Sequence, residues 1–211
     1  MTAYLNEEEQ LQLLKRWWNE YGNVLVSVIL LIALAFASLN WWKNRTAKIN
    51  TQASALYEQL ISSMANEDKS GVSATSKLLV TEYTHTVYAS LAALFEARQA
   101  VHQGDLESAV KSLLWAQKNS PSAALKQIAT IRLARIYIAQ GQLAQADHQL
   151  SVVSDKMFQP LIEEVQGDLT LARGQPAQAR DHYVQAQLGL KKQNIDNSIL
   201  QMKINSLPAS V

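Results

Sequence analysis

The side chains that most often carry out chemistry are few in this sequence and stand in no catalytic pattern. Cysteine is absent, which excludes disulfides, thiolate nucleophiles and thiolate metal sites. The adjacent carboxylates Glu163 and Glu164 fall on different sides of a predicted helix, so they cannot form an acid/base pair by themselves. None of the four histidines belongs to a recognisable zinc-binding pattern; they are His85, His102, His148 and His182.

Two further classes of function are disfavoured. The sequence has no glycine-rich phosphate loop and no Gly-x-Ser-x-Gly turn, so we expect no catalytic residue, no metal and no cofactor. An enzyme is the weakest hypothesis, since remote residues such as His102 and Asp147 or Glu164 would have to meet. A formal net charge of +1 provides no basic field for a phosphate backbone, so nucleic acid is not an expected partner.

A groove that binds another protein is better supported. Apolar residues recur at helical spacing in two segments, and an arginine, Arg98 or Arg135, occupies the same place in each. We interpret them as an apolar groove with two positive anchors for an extended or helical segment of a partner. The alternative is that these arginines are solvated or paired with Asp168, at the corresponding place in a third segment. The groove candidates are Leu91, Leu94, Arg98, Val101, Ile128, Ile131, Arg135 and Ile138.

The elements that would position this groove are repeats. Gly104, Gly141 and Gly174 are 37 and 33 residues apart, and an alanine follows each of them five residues later. Glycine adopts the positive φ that ends a helix, and the small alanine permits close packing of the next one. This spacing is typical of the tetratricopeptide repeat, a helix-turn-helix of about 34 residues. Gly71 is a weaker candidate for a further unit, and an irregular bundle is the alternative.

The composition predicts an all-α fold. Glycine and proline are scarce, with 7 and 4 residues, which favours helices joined by short turns. A last helix is predicted over residues 194–207, where it would cap the final repeat. Its apolar residues are Ile195, Ile199, Met202 and Leu207.

Near the N-terminus the sequence predicts a single transmembrane helix. No residue from Tyr21 to Trp42 is charged, and Val24 to Leu39 is apolar except for two serines. Twenty-two helical residues span about 33 Å, close to the hydrocarbon thickness of a bilayer. Aromatic residues flank the run at both ends, as expected of rings at the headgroup layers. These predicted membrane anchors are Trp17, Trp18, Tyr21, Trp41 and Trp42.

Two alternatives to an uncleaved span fit the sequence less well. A buried core helix would need a polar face or partners on every side, whereas this run is apolar all round and flanked by tryptophan pairs. A cleaved signal peptide would use Ala35-Phe36-Ala37, but the preceding segment is long and contains several glutamates. Lysine and arginine number two before the span and three after it, so the positive-inside rule leaves the orientation open.

The segment before the span has its own helical pattern. Asn6 and Glu9 fit a capping box, and Leu11, Leu14 and Trp18 share one face. This pattern predicts an interfacial helix that lies on the membrane surface and serves either as an anchor or as a docking site.

As a whole, the sequence resembles the YfgM family, the ancillary subunits of the bacterial SecYEG translocon. The resemblance rests on the EEEQLQLLKRWWNEYG segment at residues 7–22, the single span, Arg132-Leu-Ala-Arg135, and Gln201-Met-Lys-Ile-Asn-Ser-Leu207. It implies a cytoplasmic tail at residues 1–22, an inner-membrane helix at 23–42 and a periplasmic repeat domain at 43–211. The repeat signature alone would be generic.

The resemblance also implies partners. They are the SecYEG translocon and a PpiD-like membrane-anchored chaperone, with exported client proteins and the lipid bilayer as further contacts. The implied function is to help transfer emerging proteins to periplasmic chaperones. A structural scaffold, in which the repeat domain self-associates or assembles the envelope, is the alternative from another class.

Overall fold

The computed structural model describes residues 7–208, and within that range the chain is helical throughout, without strands. The helices are α1 Glu7–Ala65, α2 Lys69–Glu82, α3 Val87–His102, α4 Leu106–Asn119, α5 Ala123–Ala139, α6 Leu143–Ser151, α7 Gln159–Ala172, α8 Pro176–Lys192 and α9 Ser198–Asn205. A short 3-10 turn, Lys156–Phe158, leads directly into α7. The predicted all-α class is confirmed.

The chain forms two compact units, one up to Thr51 and one from Gln52 onward. In the described residues the first unit consists of α1 alone. The second unit begins with the last turns of α1 and continues through α2 to α9. There Ala53 and Leu60 of α1 are buried in one cluster with Leu79 of α2 and Ala92 of α3.

Several helices begin at a short polar side chain that caps them. Thr86, Asp105, Ser122 and Asn197 each accept a hydrogen bond from an amide in the first turn that follows. Such bonds satisfy amides that have no partner inside the helix. Hydrogen bonds from the side chain and amide of Ser108 lower the pKa of Asp105 below its ordinary value.

The repeat glycines behave as predicted. Gly104, Gly141 and Gly174 have φ values of 77°, 73° and 78°, in the left-handed region. At the first of these turns the Asp105 amide reaches back to the Ala100 carbonyl over 2.9 Å, and equivalent bonds follow the other two glycines. These closures end α3, α5 and α7 and start the return helices α4, α6 and α8. The tetratricopeptide-like pairing of helices is confirmed.

Small residues let paired helices approach closely. The repeat alanines Ala109, Ala146 and Ala179 are all fully buried. In the third pair the Tyr183 ring lies directly against Gly167, where a Cβ would collide with it. Tyr183 is only 1% exposed, so a bulky ring fills the space that the glycine leaves.

The expected repeat glycine at Gly71 is corrected by the structure. Gly71 lies inside α2, and the positive φ before that helix belongs to Glu67, at 55°. A Cβ at Gly71 would instead crowd the Asp68 carboxylate, which caps α2 by accepting the Ser70 and Gly71 amides, so a larger residue there would displace this cap. The turn residue is therefore Glu67, four positions before the predicted Gly71.

The last helix is shorter than predicted. Asn194 takes a positive φ of 58° after α8, so α9 starts only at Ser198. Leu200 and Ile204, spaced by four residues, are buried against α8, whereas Ile199 and Met202 are 60% and 63% exposed. The capping position is as expected, and of the four apolar residues named from the sequence Leu207 packs against this cluster. The predicted capping box at Asn6 lies outside the described residues.

Candidate functional site

The first candidate site is the apolar stretch of α1. Its most apolar eighteen-residue window has a mean hydropathy of 2.4 and is only 6% buried. Phe36, for example, is 74% exposed. A core helix of a soluble protein would have most of these side chains covered. By length and composition this helix is long and apolar enough to cross a membrane.

The aromatic residues at the ends of this stretch contact their helical neighbours. The Trp17 and Tyr21 ring centroids are 6.2 Å apart at one end, and the Arg45 guanidinium lies 5.4 Å from the Trp41 ring centroid at the other. All five predicted anchors remain exposed, between 45% and 69%. From Trp18 to Trp41 the helix rises about 35 Å, which matches the separation of two headgroup layers.

The second candidate site lies in the repeat unit, where α3 and α5 flank an open cavity of about 470 Å³. Its apolar lining comes from α3, α4 and α5 and is mostly part of the core, so its shape is set by packing rather than by loops. The main apolar lining residues are Leu94, Ala97, Val101, Leu113 and Ile136.

The structure brings together four of the eight predicted groove residues. Leu94, Arg98, Val101 and Arg135 line the cavity. Leu91 is half-buried on α3 and does not line it. Ile131, which is only 3% exposed, and Ile138 pack toward α6 and α7. Ile128 packs against both this cluster and the one formed by α3, α4 and α5.

Three arginines line the cavity. Arg98 lies on α3, and Arg132 and Arg135 lie one turn apart on α5. Partial burial lowers the pKa of Arg132 below its ordinary value, and the positive charges of Arg135 and Arg98 lower it further. The guanidinium stays protonated at neutral pH. Among residues 7–208, no ion pair involves Arg98 or Arg132.

Arg135 differs from the other two arginines because it is paired. Its guanidinium lies 3.2 Å from the Glu164 carboxylate of α7. Lys203 of α9 binds the other Glu164 oxygen at 3.1 Å and Asp168 at 2.7 Å. Glu164 is only 8% exposed, so these cations satisfy a nearly buried carboxylate. The predicted alternative pairing with Asp168 is thus taken by Lys203, while Arg135 binds Glu164.

Tyr183 joins this acidic group from α8. Its hydroxyl donates to Asp168 over 2.7 Å, and the Lys203 ammonium lies 5.1 Å from the centroid of its ring. Burial raises the pKa of Tyr183 well above its ordinary value, and the hydrogen bond and negative charge of Asp168 raise it further. The C-terminal helix is therefore tied to α7 and α8 by polar contacts as well as by its apolar side chains.

A larger cavity of about 730 Å³ lies on the other side of Arg98, with residues of α2, α3 and α4 in its walls. Acidic residues are present here as well. Glu96 accepts a 2.5 Å hydrogen bond from Ser76, and Glu67 and Asp105 also line the space. Its mixed charge selects no particular class of ligand.

Other residues considered for chemistry are engaged separately. Glu163 binds the His182 ring at 2.8 Å, while its neighbour Glu164 has different partners. Asp147 pairs with Arg173 at 2.7 Å. No ion pair among the described residues joins His102 to Asp147 or to Glu164.

Two important residues were missed in the sequence. Arg132 precedes Arg135 by one helical turn, so the i, i+3 spacing could have placed both on the cavity side. Lys203 gave no such signal, because its acidic partners lie 35 and 39 residues away in the sequence. Only the docking of α9 brings these residues together.

The similarity to known proteins covers both units of the chain. A family model described as a tetratricopeptide repeat-like domain matches residues 15–209. Proteins named ancillary SecYEG translocon subunit are 28% identical in Haemophilus influenzae and 26% in Neisseria gonorrhoeae, over 98% of this chain and 100% of each relative. The Escherichia coli protein of that name is 25% identical over 98% of this chain and 99% of its own length. No solved structure gives a significant match.

Helix pairs closed by glycine turns, with an open cavity between their first helices, define a helical-repeat protein suited to binding other proteins. The chain belongs to the tetratricopeptide repeat-like domain family, whose model covers nearly its whole length. The relatives of full-length similarity confirm the resemblance to the YfgM family.

Proposed function

We propose that this protein is a membrane-anchored interaction subunit of a SecYEG-type translocon that helps pass exported proteins to periplasmic chaperones. The observation that carries the proposal is the extent of the similarity. Relatives named as ancillary translocon subunits match over 98% of this chain, which includes both the apolar helix and the repeats. A repeat domain shared with unrelated proteins would match over the second unit alone.

In this proposal α1 is an uncleaved anchor in the bacterial inner membrane. The exposed apolar stretch and the aromatic residues at both its ends support that role. The N-terminus would be cytoplasmic and the repeat domain periplasmic, within the predicted boundaries of 1–22, 23–42 and 43–211. A single early span is compatible with export of a long C-terminal domain whatever the flanking charges.

The repeat domain would act by binding and not by catalysis. Its cavity between α3 and α5 combines a preformed apolar lining with arginines, which suits recognition of a protein segment. The proposed partners are the translocon, a PpiD-like chaperone and exported clients. Placing this surface beside the exit of the translocon would raise the effective concentration of those partners.

Affinity capture of the tagged full chain from membranes in mild detergent tests the association. We expect the translocon channel subunits to be recovered with it. A control chain with residues 23–42 replaced by an unrelated apolar span of equal length separates binding by the anchor from binding by the domain. Recovery of neither translocon nor periplasmic chaperones would refute the proposal. A tight homo-oligomer of the full chain instead would favour the scaffold alternative.

Protease treatment of spheroplasts tests the orientation. We expect external protease to remove the repeat domain and leave a short fragment containing the span. Disruption of the membrane should then add only cleavage of the N-terminal tail. A repeat domain protected in intact spheroplasts and degraded after lysis would contradict the periplasmic assignment and the transfer function with it.

A further inference from the structure

We propose that the cavity between α3 and α5 binds a short peptide segment of a partner protein in which apolar side chains are flanked by carboxylates. This inference rests on the proposed function, because it names the chemistry of the segment that the interaction surface holds. It follows from the shape of the cavity, its lining and its uncompensated charge.

The floor of the cavity is apolar and preformed. Leu94, Leu113 and Ile136 line it and are 6%, 1% and 7% exposed, so they are fixed by the surrounding core. Val101 at the rim is 44% exposed and offers uncovered apolar surface. With about 470 Å³, the cavity can receive one or two apolar side chains but not a folded domain. The floor therefore selects the apolar part of the segment.

The rim selects its charge. Arg98 on one side and Arg132 on the other have no carboxylate within ion-pair distance among the described residues. Burial lowers the pKa of Arg132, and the positive charges of Arg135 and Arg98 lower it further, so these arginines repel one another. The chain as a whole carries only +1, so this cluster is a local feature. A carboxylate at the rim would relieve the repulsion and could bind a guanidinium through two hydrogen bonds.

A peptide fits this arrangement better than a lipid. The arginines flank the apolar floor from two helices, so negative groups are expected on both sides of an apolar centre. An extended segment with acidic residues on either side of leucines has that order along its length. A lipid has a single headgroup at one end of its apolar chains. The test must therefore distinguish binding of anionic lipid from binding of the peptide.

The test measures fluorescence anisotropy with full-length protein in nonionic detergent. The probe is a fluorescein-labelled decapeptide with two central leucines flanked by aspartates. One matched peptide replaces the aspartates with asparagine, and a second replaces the leucines with serine. We expect saturable binding of the first probe, at least tenfold weaker binding of each matched peptide, and weakening of the first complex with added salt.

Variants of the protein assign the binding to the cavity. Arg98→Gln combined with Arg132→Gln should weaken the aspartate probe at least tenfold and leave the asparagine peptide unchanged. Lys77→Gln combined with Lys118→Gln removes the same charge from exposed positions on α2 and α4 and should leave binding intact. Ala139→Phe fills the cavity from its exposed rim without changing charge and should also abolish binding.

Several results would overturn the inference: equal binding by the arginine and lysine variants, equal binding of the aspartate and asparagine probes, or no saturable binding at all. So would arginine-dependent binding of vesicles containing anionic phospholipid in place of the peptide. The proposed function is judged separately, by capture of the translocon. If the protein still captures the translocon but does not bind the peptide, only this inference is refuted. If it binds the peptide but does not capture the translocon, only the proposed function is refuted.

Discussion

Two charged regions of the repeat domain use the same kinds of side chain in opposite ways. At the C-terminal end, Lys203 and Arg135 surround the Glu164 carboxylate within 3.1 and 3.2 Å. At the cavity between α3 and α5, Arg98 and Arg132 face open space and have no acidic partner among residues 7–208. Arg135 belongs to both regions, since it lines the cavity and binds Glu164.

This difference between paired and unpaired charges helps to distinguish residues with a structural role from residues that bind a partner. A nearly buried carboxylate must be paired, because unpaired charge in a protein interior is costly. The cluster around Glu164 is therefore explained by the docking of α9. Arg98 and Arg132 form no ion pair among the described residues and repel each other, so a partner explains them better than the fold does. Substitutions in the two regions should then have opposite effects on stability.

Glu164→Gln should produce the largest loss. It removes the charge that satisfies Arg135 and Lys203, and the retained amide keeps the volume unchanged. Because the two cations are 43% and 30% exposed and can be partly resolvated, we expect a loss of about 2 kcal/mol, below the range for fully buried pairs. Urea unfolding of the full chain in detergent, followed by far-UV circular dichroism, measures it.

The matched control is Glu58→Gln, at an exposed position of α1 with no ion pair among the described residues. It should change stability by no more than about 0.5 kcal/mol. Equal effects of the two substitutions would mean that the Glu164 cluster does not hold the C-terminal helix.

Gly167→Ala should have the next largest effect. The added Cβ would collide with the Tyr183 ring, which is 1% exposed and cannot move away without disturbing α8. Overpacking of this kind costs roughly 1–3 kcal/mol, and the better helix propensity of alanine returns up to about 1. We expect a net loss of about 1.5 kcal/mol by the same urea measurement. A stabilised variant would show that the ring adapts freely.

Tyr183→Phe should remove about 1 kcal/mol at neutral pH, since Asp168 loses one hydrogen bond but keeps Lys203. It should also change the response to alkali. The folded state raises the pKa of Tyr183, so it retains a proton that the unfolded chain releases above pH ~10. This contribution to stability is present below pH ~10 and is lost as the pH rises further. The variant should therefore lose stability less steeply above that pH, and parallel profiles would contradict the assignment.

Much of this fold follows from local sequence signals. The glycines of the three turns can be recognised in the sequence because few other residues adopt positive φ without strain. The uncharged run in α1 can also be recognised from the sequence, since a long run of apolar residues is typical of a membrane span. The prediction for Gly71 was wrong because glycine also leaves room for a close neighbour, here the Asp68 carboxylate, and sequence alone does not separate that cause from a turn.

The candidate site was predictable only in part. Arg98 and Arg135 followed from their equivalent repeat positions, and both line the cavity. The isoleucines of α5 do not line the cavity, although the spacing predicted that they would. A helix that packs on two neighbours buries apolar residues on several sides, so periodicity no longer identifies one exposed face. In α9 the buried residues are Leu200 and Ile204, which the sequence alone did not separate from the exposed apolar residues Ile199 and Met202.

Arg132→Gln should have the smallest effect on stability, and the opposite sign. Removing one guanidinium relieves the repulsion from Arg135 and Arg98 and breaks no ion pair among the described residues. We expect a gain of up to about 0.5 kcal/mol that shrinks as salt screens the remaining charges. Arg135→Gln is the matched comparison, because it relieves the same repulsion but leaves Glu164 with Lys203 alone, and it should therefore destabilise the fold. If both arginine variants lost stability equally, Arg132 would be holding the structure and the distinction between the two regions would fail.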